Sequence, residues 1–289
     1  MLYTKDNPLK VVTLCSGYDS QCLALNKLKE HYPEFDYELV AWSEFDPESK
    51  QALEKQPAVV AHNALFPQWA DRNLGDMTKI DWTKVDDFDL LFYSTPCQSI
   101  SQAGLQHGFT EGSGTRSSII WHVRDAIKIK RPKYLCLENV KAMVSGKFVG
   151  MFNLWQLEIE RLGYRNFAEV LNAKDYGVPQ NRERIFLVSI RDDGDLPRFF
   201  FPKPLPLERR LKDVLEDNVD EKYYLSDKAI EGFQERTDRA IERGNGFRFS
   251  QKTKDDVTAQ AIQTSSGTRA DDNFIKEDEQ DDIRTIQKP

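Results

Sequence analysis

Apolar residues along this chain alternate between short runs typical of strands and longer segments with helical spacing. Five short apolar runs predict strands at residues 10–15, 37–42, 88–93, 134–137 and 185–190. Longer segments predict helices at residues 20–29, 47–55, 117–130 and 152–162. Because strands alternate with helices, we expect an α/β fold, a mostly parallel and doubly wound sheet with helices on both faces. Ligands bind such sheets at the carboxyl ends of the strands.

The alternation ends near residue 191. Residues 197–206 (PRFFFPKPLP) are Pro-rich and interrupt the pattern. The sequence beyond them is more polar, and one further helix is predicted over residues 226–243. We therefore predict two domains, a larger one over residues 1–191 and a smaller one over residues 192–289.

Charge and hydropathy argue against a membrane or secreted protein and leave nucleic-acid binding open. The 289 residues carry 40 Lys and Arg against 47 Asp and Glu, a net charge of −7. That balance does not itself indicate a nucleic-acid partner, since phosphate contacts need Lys and Arg, but a local basic face can coexist with acidic surroundings. No apolar run approaches the roughly 20 residues of a membrane-spanning helix, and the N-terminus lacks the apolar core of a signal peptide.

Cysteine and histidine usage points to a reduced compartment. The four cysteines, Cys15, Cys22, Cys97 and Cys136, are widely spaced and contain no C-x-x-C pair. This spacing predicts reduced thiols and a cytoplasmic location. Because the four histidines form no cluster with the cysteines, we expect no metal site.

Three polar segments lie at the ends of predicted strands. Cys97 follows the strand at residues 88–93 and opens a Gly/Ser-rich loop, where backbone N–H groups can stabilise a thiolate; a buried structural cysteine is the alternative. Glu138 ends the strand at residues 134–137, either as a functional carboxyl group or as a partner of a helix N-terminus. Residues 180–184 (QNRER) precede the last strand, and a solvated charged turn is their alternative interpretation.

Together these segments carry a family resemblance. In chain order they read STPCQSISQAG, TRSSIIW, LENV and DYGVPQNRERIF. Their order, spacing and strand placement resemble the C5-cytosine DNA methyltransferase family of prokaryotes and phages, over about residues 10–192. The resemblance implies an enzyme with S-adenosylmethionine as its methyl donor, acting on a cytosine flipped out of double-stranded DNA, as in restriction–modification systems. It also implies a prokaryotic or phage-infected cytoplasm.

The chemistry explains why these residue types occur together. Carbon 5 of cytosine is too weakly nucleophilic to take a methyl group unaided, but a thiolate added at C6 makes the ring enamine-like. The resemblance assigns that thiolate to Cys97 and the hydrogen-bond donor at N3 to Glu138. It assigns the contact with the base O2 to Arg184, with Arg182 lining the same pocket. Glu138 must be protonated to donate, which a crevice with little water favours.

The methyl donor is expected in the first half of the fold. Gly17 follows the first strand, where a turn lets backbone approach a ligand closely. The family usually has an aromatic residue and a Gly-x-Gly-Gly turn here. This chain departs from it, because Cys15 replaces the aromatic residue and Asp19 and Ser20 replace the later glycines. Asp19 either holds the donor's amino group or caps the following helix.

Two acids complete the expected donor site. Glu44 ends the second strand, where an acid suits the two ribose hydroxyls of a nucleotide. The resemblance assigns the adenine amine to Asp76, and Phe45 is a stacking candidate with core packing as its alternative. The predicted cofactor-binding residues are Cys15, Ser16, Gly17, Asp19, Ser20, Glu44, Phe45, Asp76, Met77 and Pro96.

DNA contacts are expected in two places. The loop at residues 99–115 is long and Gly/Ser-rich, which is typical of functional loops, and by resemblance it closes over DNA. Residues 192–289 stand where the family has its target-recognition region. The candidate nucleic-acid contacts are Gln98, Ser101, Gln102, Arg116, Gln180, Arg248 and Arg269.

The end of the chain departs from the family pattern. The family normally continues with an R-x-L-T-x-x-E segment and a final Gly-Asn-Ser helix, and both are absent before Pro289. We therefore expect a truncated target-recognition region. Three alternatives remain open: a second chain supplies the missing segments, the substrate is a transfer RNA, or the chain is an inactive DNA-binding module.

Overall fold

The computed structural model describes residues 2–96, 110–112, 114, 116–194, 198–244, 248–262, 272–277 and 283–285. The chain divides into two compact units. The first comprises Met1–Val170 and Arg184–Phe201, and the second comprises Leu171–Glu183 and Pro202–Pro289. The predicted boundary between a domain at residues 1–191 and a domain at residues 192–289 stays a prediction.

Each of the five predicted apolar runs overlaps a strand of the structure. The strands are β1 (Leu9–Leu14), β2 (Tyr37–Ser43), β3 (Leu90–Tyr93), β4 (Tyr134–Val140), β5 (Tyr164–Asn172), β6 (Gln180–Asn181), β7 (Glu183–Arg191), β8 (Gln251–Lys252), β9 (Ala259–Gln260), β10 (Phe274–Lys276) and β11 (Ile283–Thr285). Six of them form one sheet in the order β2-β1-β3-β4-β7-β5. Strands β2, β1, β3 and β4 run parallel, and β7 is antiparallel to β4. The predicted α/β, mostly parallel sheet is therefore confirmed.

Consecutive residues of β1 enter different parts of the core. Val11 belongs to a cluster with Leu25 of the helix after β1, whereas Val12 belongs to a second cluster with Val123. Side chains of adjacent strand residues point to opposite faces, so the sheet is covered on both sides. Val11 and Val12 are fully buried. Burial of each such side chain stabilises the fold by about 1.5–3 kcal/mol.

The helices were predicted less evenly than the strands. The α-helices are α1 (Ser20–His31), α2 (Pro57–Leu65), α3 (Ile120–Lys130), α4 (Val149–Arg161) and α5 (Asp227–Glu242). Short 3-10 segments are Leu53–Lys55, Pro67–Arg72, Met77–Lys79, Trp82–Lys84, Arg116–Ile119, Lys141–Val144, Ala173–Tyr176, Leu211–Asp213 and Glu221–Tyr223. Helices α1, α3, α4 and α5 confirm their predictions within a few residues. No helix formed by the described residues is long and apolar enough to cross a bilayer.

The prediction of a helix over residues 47–55 is wrong. Only its end forms a 3-10 turn, and α2 begins two residues later at Pro57. The Gln56 side chain closes the intervening loop, because its Oε1 accepts from the Asp46 N–H at 2.8 Å. Pro57 then occupies the first turn of α2, where its fixed φ suits the helix and its missing N–H has no cost.

The second unit has its own small core around α5. The hydroxyl of Ser226 accepts from the Ala229 N–H at 3.3 Å and caps this helix. Phe233 packs against the rings of Phe249 and Phe274, with centroid distances of 5.5 and 5.2 Å. Strands β8, β10 and β11 form a three-stranded sheet in the order β11-β10-β8, and β6 pairs with β9.

Candidate active site

The carboxyl end of β4 brings Glu138 against Arg184 of β7. These strands pair antiparallel, with Glu138 opposite Phe186 and Val140 opposite Arg184. Arg184 Nε lies 3.0 Å from Glu138 Oε1. The two residues that the resemblance placed in one base-binding pocket are therefore in direct contact.

Ser94 holds the other oxygen of the same carboxylate. Its hydroxyl donates to Glu138 Oε2 at 2.7 Å. Each of the two Glu138 carboxyl oxygens therefore has its own donor. Glu138 keeps 26% of its side chain exposed and Arg184 keeps 20%, so a ligand can reach both. The arrangement can bind a polar ring edge and can exchange a proton with it.

Sequence reasoning missed Ser94 and also Asn139. Asn139 is buried, and its amide donates to the Thr95 carbonyl at 3.0 Å. This contact ties the segment after β3 to the end of β4, and so it positions the residues that precede Cys97. Two sequence signals point to these residues. Ser94 is a hydroxyl residue just before the Pro-Cys pair, and Asn139 is an amide residue next to Glu138.

Several predicted residues lie outside the described part of the chain. They are Cys97, Gln98, Ser101, Gln102 and Arg269, together with the side chain of Arg116. Pro96 is the last described residue before Cys97. The roles assigned to these residues stay predictions.

The loop between β1 and α1 turns at Gly17. Gly17 has φ +58°, in the left-handed region that favours glycine, and a Cβ there would meet nothing within 4 Å. Its N–H donates to Glu44 Oε2 at 2.7 Å. Burial raises the pKa of the Glu44 carboxyl, an effect that the Gly17 N–H opposes and the nearby Asp46 and Asp19 reinforce.

Cys15 and Met77 lie together beside the two predicted donor-binding acids. The Cys15 thiol donates to Met77 Sδ at 3.5 Å. Burial raises the pKa of this thiol, and the charges of Glu44 and Asp76 raise it further. Cys15 is therefore a neutral thiol. The structure thus brings four predicted donor-site residues into one place.

Asp76 caps the short segment Met77–Lys79. Its Oδ1 accepts from the Thr78 N–H at 3.0 Å, and Lys79 Nζ lies 3.2 Å from its Oδ2. Burial alone would raise the pKa of Asp76, but the hydrogen bonds from Thr78 and the charge of Lys79 outweigh it, and the pKa is lowered. A charged carboxylate therefore stands at this point.

Asn73 joins the segment at Glu44 to the loop that carries Asp76. This residue was not predicted from the sequence. Its Oδ1 accepts from the Glu44 N–H at 3.2 Å and from the Gly75 N–H at 2.9 Å. Its amide donates to the Glu44 carbonyl at 3.3 Å. One side chain thereby fixes Glu44 relative to the loop that carries Asp76. The sequence signal is an Asn two residues before a Gly, a common turn pattern.

Asp19 caps helix α1, which is one of the two roles predicted for it. Its Oδ1 accepts from the Cys22 N–H at 3.2 Å, which is the N-cap contact of α1. The residue has no exposed surface, so it offers no atom to a donor in this conformation. The capping alternative is the one that the structure shows. Ser16 is also buried, whereas Ser20 and Phe45 are exposed, and their donor contacts stay predictions.

The remaining predicted residues belong to the second unit. Gln180 pairs with Ala259 in the short β6–β9 ladder. The Arg182 N–H donates to Asn172 Oδ1 at 3.0 Å, which fixes the backbone before β7. Arg248 is exposed. Their contacts with base or phosphate stay predictions.

Among the described residues, no group of three or more His, Cys, Asp or Glu side chains is arranged to hold a metal ion.

Comparison with known proteins identifies the family. A family model described as C-5 cytosine-specific DNA methylase matches residues 9–288. The Type II methyltransferase M2.ScrFI of Lactococcus lactis subsp. cremoris is 46% identical over 160 residues, which cover 55% of this chain and 44% of that protein. The orphan methyltransferase M.Rho11sI of Bacillus phage rho11s is 34% identical over 263 residues, or 81% of this chain and 48% of that protein.

The chain spans about half the length of these curated relatives. Among solved structures, a DNMT2 mutant of Spodoptera frugiperda matches with a TM-score of 0.70 at 17% identity, over 93% of this chain and 75% of that one. At that identity the likeness concerns the fold alone. The sequence motifs, the sheet and the match over residues 9–288 agree, and the chain belongs to the C-5 cytosine-specific DNA methylase family.

Proposed function

We propose that this chain is an S-adenosylmethionine-dependent methyltransferase that acts on carbon 5 of cytosine in double-stranded DNA. The observation that carries the proposal is the Glu138 carboxylate, held by Ser94 and Arg184 at the carboxyl end of the sheet. Family membership supports the chemistry, because the matched model describes a C-5 cytosine-specific DNA methylase.

The residues around the first loop fit the donor. Gly17 leaves open space where a side chain would stand, and Glu44 and Asp76 supply carboxylate acceptors for ribose hydroxyls and an adenine amine. Ser16, Met77 and the other predicted residues would complete the site, with Asp19 acting through the loop. When bound, S-adenosylmethionine supplies an electrophilic methyl group on a sulfonium sulfur.

The chain's own residues would carry out the ring chemistry. The Cys97 thiolate adds to C6 of the flipped cytosine, and a new C–S bond forms as N3 takes a proton from Glu138. C5 would then take the methyl group, leaving the donor as a neutral thioether, and would lose its proton to a base. The C–S bond would break to release Cys97 as a thiolate, and N3 would return its proton to Glu138. Arg184 contacts the base O2, and Arg182 lines the same pocket. To give a proton to N3, Glu138 must carry one when the base binds.

The second unit would bind DNA. It contains Arg248 on its surface and stands where the family carries target recognition, and the loop after Cys97 would close over the flipped base. We assign the cytoplasm of a bacterial or phage-infected cell as the place of action, because relatives come from bacteria and phages.

Transfer of labelled methyl from S-adenosylmethionine to unmethylated bacterial DNA tests the proposal. We expect label in 5-methylcytosine, complete loss with Cys97→Ser, and at least half the activity with the matched Cys136→Ser control. Cys136 lies half-buried in β4, and desolvation raises the pKa of its thiol to about 12.

Other outcomes separate the alternatives. Label in transfer RNA but not in DNA would overturn the choice of polymer. Donor binding without transfer to either polymer would overturn turnover by this chain alone and would favour a second subunit or an inactive DNA-binding module. Equal activity of the Cys97→Ser variant would overturn the covalent mechanism.

A further inference from the structure

Asp19 adopts a backbone conformation that non-glycine residues rarely take. Its φ is +63° and its ψ is 60°, in the left-handed region. It stands where the turn pattern of the family has a glycine. The chain therefore keeps a glycine-like backbone here with a charged side chain, and the contacts of that side chain must hold it in place.

The Asp19 carboxylate is buried among internal partners. Oδ2 accepts from the Thr13 hydroxyl at 2.7 Å, and Oδ1 accepts from the Cys22 N–H at 3.2 Å. His62 Nε2 lies 3.5 Å from the same Oδ2. Thr13, Asp19 and His62 have no exposed surface.

His62 approaches this carboxylate from α2. Its ring stacks on Trp42 of β2, with centroids 3.6 Å apart and planes 14° from parallel. Within the described chain, neither ring nitrogen has a hydrogen-bond partner. A buried polar ring in an aromatic setting needs a polar neighbour, and the Asp19 carboxyl group lies 3.5 Å from its Nε2.

Both residues also act on the predicted donor site. Burial is the main cause of the raised pKa of Glu44, and Asp19 raises this pKa further while His62 lowers it. Two hydrogen bonds fix the loop between β1 and α1. The Gly17 N–H donates to Glu44, and the Asp19 N–H donates to the Ser16 carbonyl at 2.8 Å. A shift of Asp19 would therefore move the turn at Gly17.

We propose that Asp19 and His62 form a buried positioning pair that holds the β1–α1 loop in its donor-binding shape. Neither side chain touches the donor, since neither has exposed surface. A glycine would adopt this left-handed backbone without help. In this chain the contacts of the Asp19 carboxyl group with Thr13 of β1 and His62 of α2 hold it instead. This inference rests on the proposed function only in taking S-adenosylmethionine as the ligand of the loop.

Direct titration of the full-length chain with S-adenosylmethionine tests the pair. Asp19→Asn keeps the N-cap acceptor and removes the charge, and we expect it to raise Kd at least fivefold. His62→Phe keeps the stack on Trp42 and should raise Kd about threefold or more. The matched controls are Asp81→Asn, an exposed cap of the segment Trp82–Lys84, and His31→Phe at the exposed end of α1. Both controls should leave Kd within twofold.

A double variant distinguishes positioning from general support. Asp19→Gly accepts the left-handed backbone but leaves His62 without its carboxylate, so Kd should rise at least tenfold. Asp19→Gly combined with His62→Phe removes both buried polar groups, and we expect it to bind the donor more tightly than Asp19→Gly alone. The Kd effects of the two substitutions should therefore not multiply.

Three results would overturn the pair. One is a lowered unfolding temperature in Asp19→Asn and His62→Phe with Kd within twofold of the unmodified chain. Another is a Kd for the double variant equal to the product of the single effects. A third, an unmodified chain that binds no S-adenosylmethionine, would overturn the donor site and the pair together, which separates that failure from the first two.

Discussion

Arg184 Nε lies 3.0 Å from Glu138 Oε1, across the antiparallel pairing of β7 with β4. The ion pair is partly exposed, so solvent screens it and its contribution to folding stability is small. Its consequence is geometric, because Arg184 fixes one carboxyl oxygen of Glu138 while the Ser94 hydroxyl fixes the other. A base that contacts Arg184 would compete with Glu138 for this guanidinium.

We predict that Glu138→Gln abolishes most turnover while DNA binding persists. The amide can still accept from Ser94 or Arg184, but it cannot give a proton to N3. General acid catalysis contributes about 10²–10⁴-fold, so kcat should fall by at least about 100-fold. Single-turnover methylation with saturating DNA and donor measures this step. Glu169→Gln, an exposed substitution in β5, is the matched control and should leave the rate unchanged.

Ser94→Ala should lower kcat with little change in KM for the donor. The substitution leaves Glu138 Oε2 without its 2.7 Å donor, so the carboxyl group loses its fixed orientation. A hydrogen bond to a charged group contributes about 1.5–3 kcal/mol, which corresponds to roughly a 10- to 100-fold loss. Steady-state kinetics over a range of pH tests this effect.

A substitution of Ser94 that keeps a hydroxyl group should preserve activity. Ser94→Thr keeps the donor and should recover most of the lost kcat. Ser145→Ala removes a different hydroxyl, one that donates to the Ala142 carbonyl at 2.8 Å, and should have no effect. If Ser94→Ala matched the unmodified chain across the pH range, Ser94 would have no part in positioning Glu138.

The positions of Glu44 and Glu138 could be predicted because apolar strands are readable in the sequence. β2 and β4 both contain apolar runs; Glu44 directly follows β2, and Glu138 lies near the carboxyl end of β4. In a parallel sheet those ends lie at one edge, so two acids far apart in sequence are expected at the same edge. Their functional assignment came from motif order and not from hydrophobic spacing.

The missed features depend on tertiary neighbours. β5 (Tyr164–Asn172) has a largely half-exposed burial pattern without clear alternation, so its sequence carries little strand signal. His62 reads as an ordinary residue of an apolar helix until Trp42 and Asp19 close around it. Contacts between residues twenty or more positions apart are set by packing, and local spacing does not reveal them.

Glu44→Gln should weaken donor binding without lowering folding stability at pH 7. Loss of a charged acceptor for the ribose should raise the Kd for S-adenosylmethionine about 10-fold or more. Burial raises the pKa of Glu44, so the folded chain binds this proton more tightly than the unfolded chain. This carboxyl group therefore lowers the free energy of unfolding as pH rises from its ordinary pKa through the raised pKa, and the amide removes that dependence.

Calorimetric titration between pH 5 and 8 measures both effects. Donor affinity of the unmodified chain should fall as pH drops through the raised pKa of Glu44, whereas Glu44→Gln should show a weaker and flatter profile. Glu54→Gln, at an exposed position, is the control. An unmodified affinity that does not change with pH would contradict a direct role for the Glu44 carboxylate.

Thiol reactivity should single out Cys97. Burial raises the pKa of Cys15 and Cys22, and it raises that of Cys136 to about 12, so these three remain neutral thiols at pH 7.5. The thiolate is the reactive form, and we therefore expect a thiol reagent to modify one cysteine per chain in a fast phase. Mass spectrometry after brief alkylation identifies the site.

The same alkylation tests whether the reactive thiol is the catalytic one. Cys97→Ser should abolish the fast phase, and Cys136→Ser should leave it intact. Loss of methyl transfer should follow the fast phase with the same rate constant, because one adduct at Cys97 blocks addition to the ring. A fast phase that survives Cys97→Ser would instead show that burial does not protect one of the other three cysteines, and would remove the argument that Cys97 alone is free to act as the nucleophile.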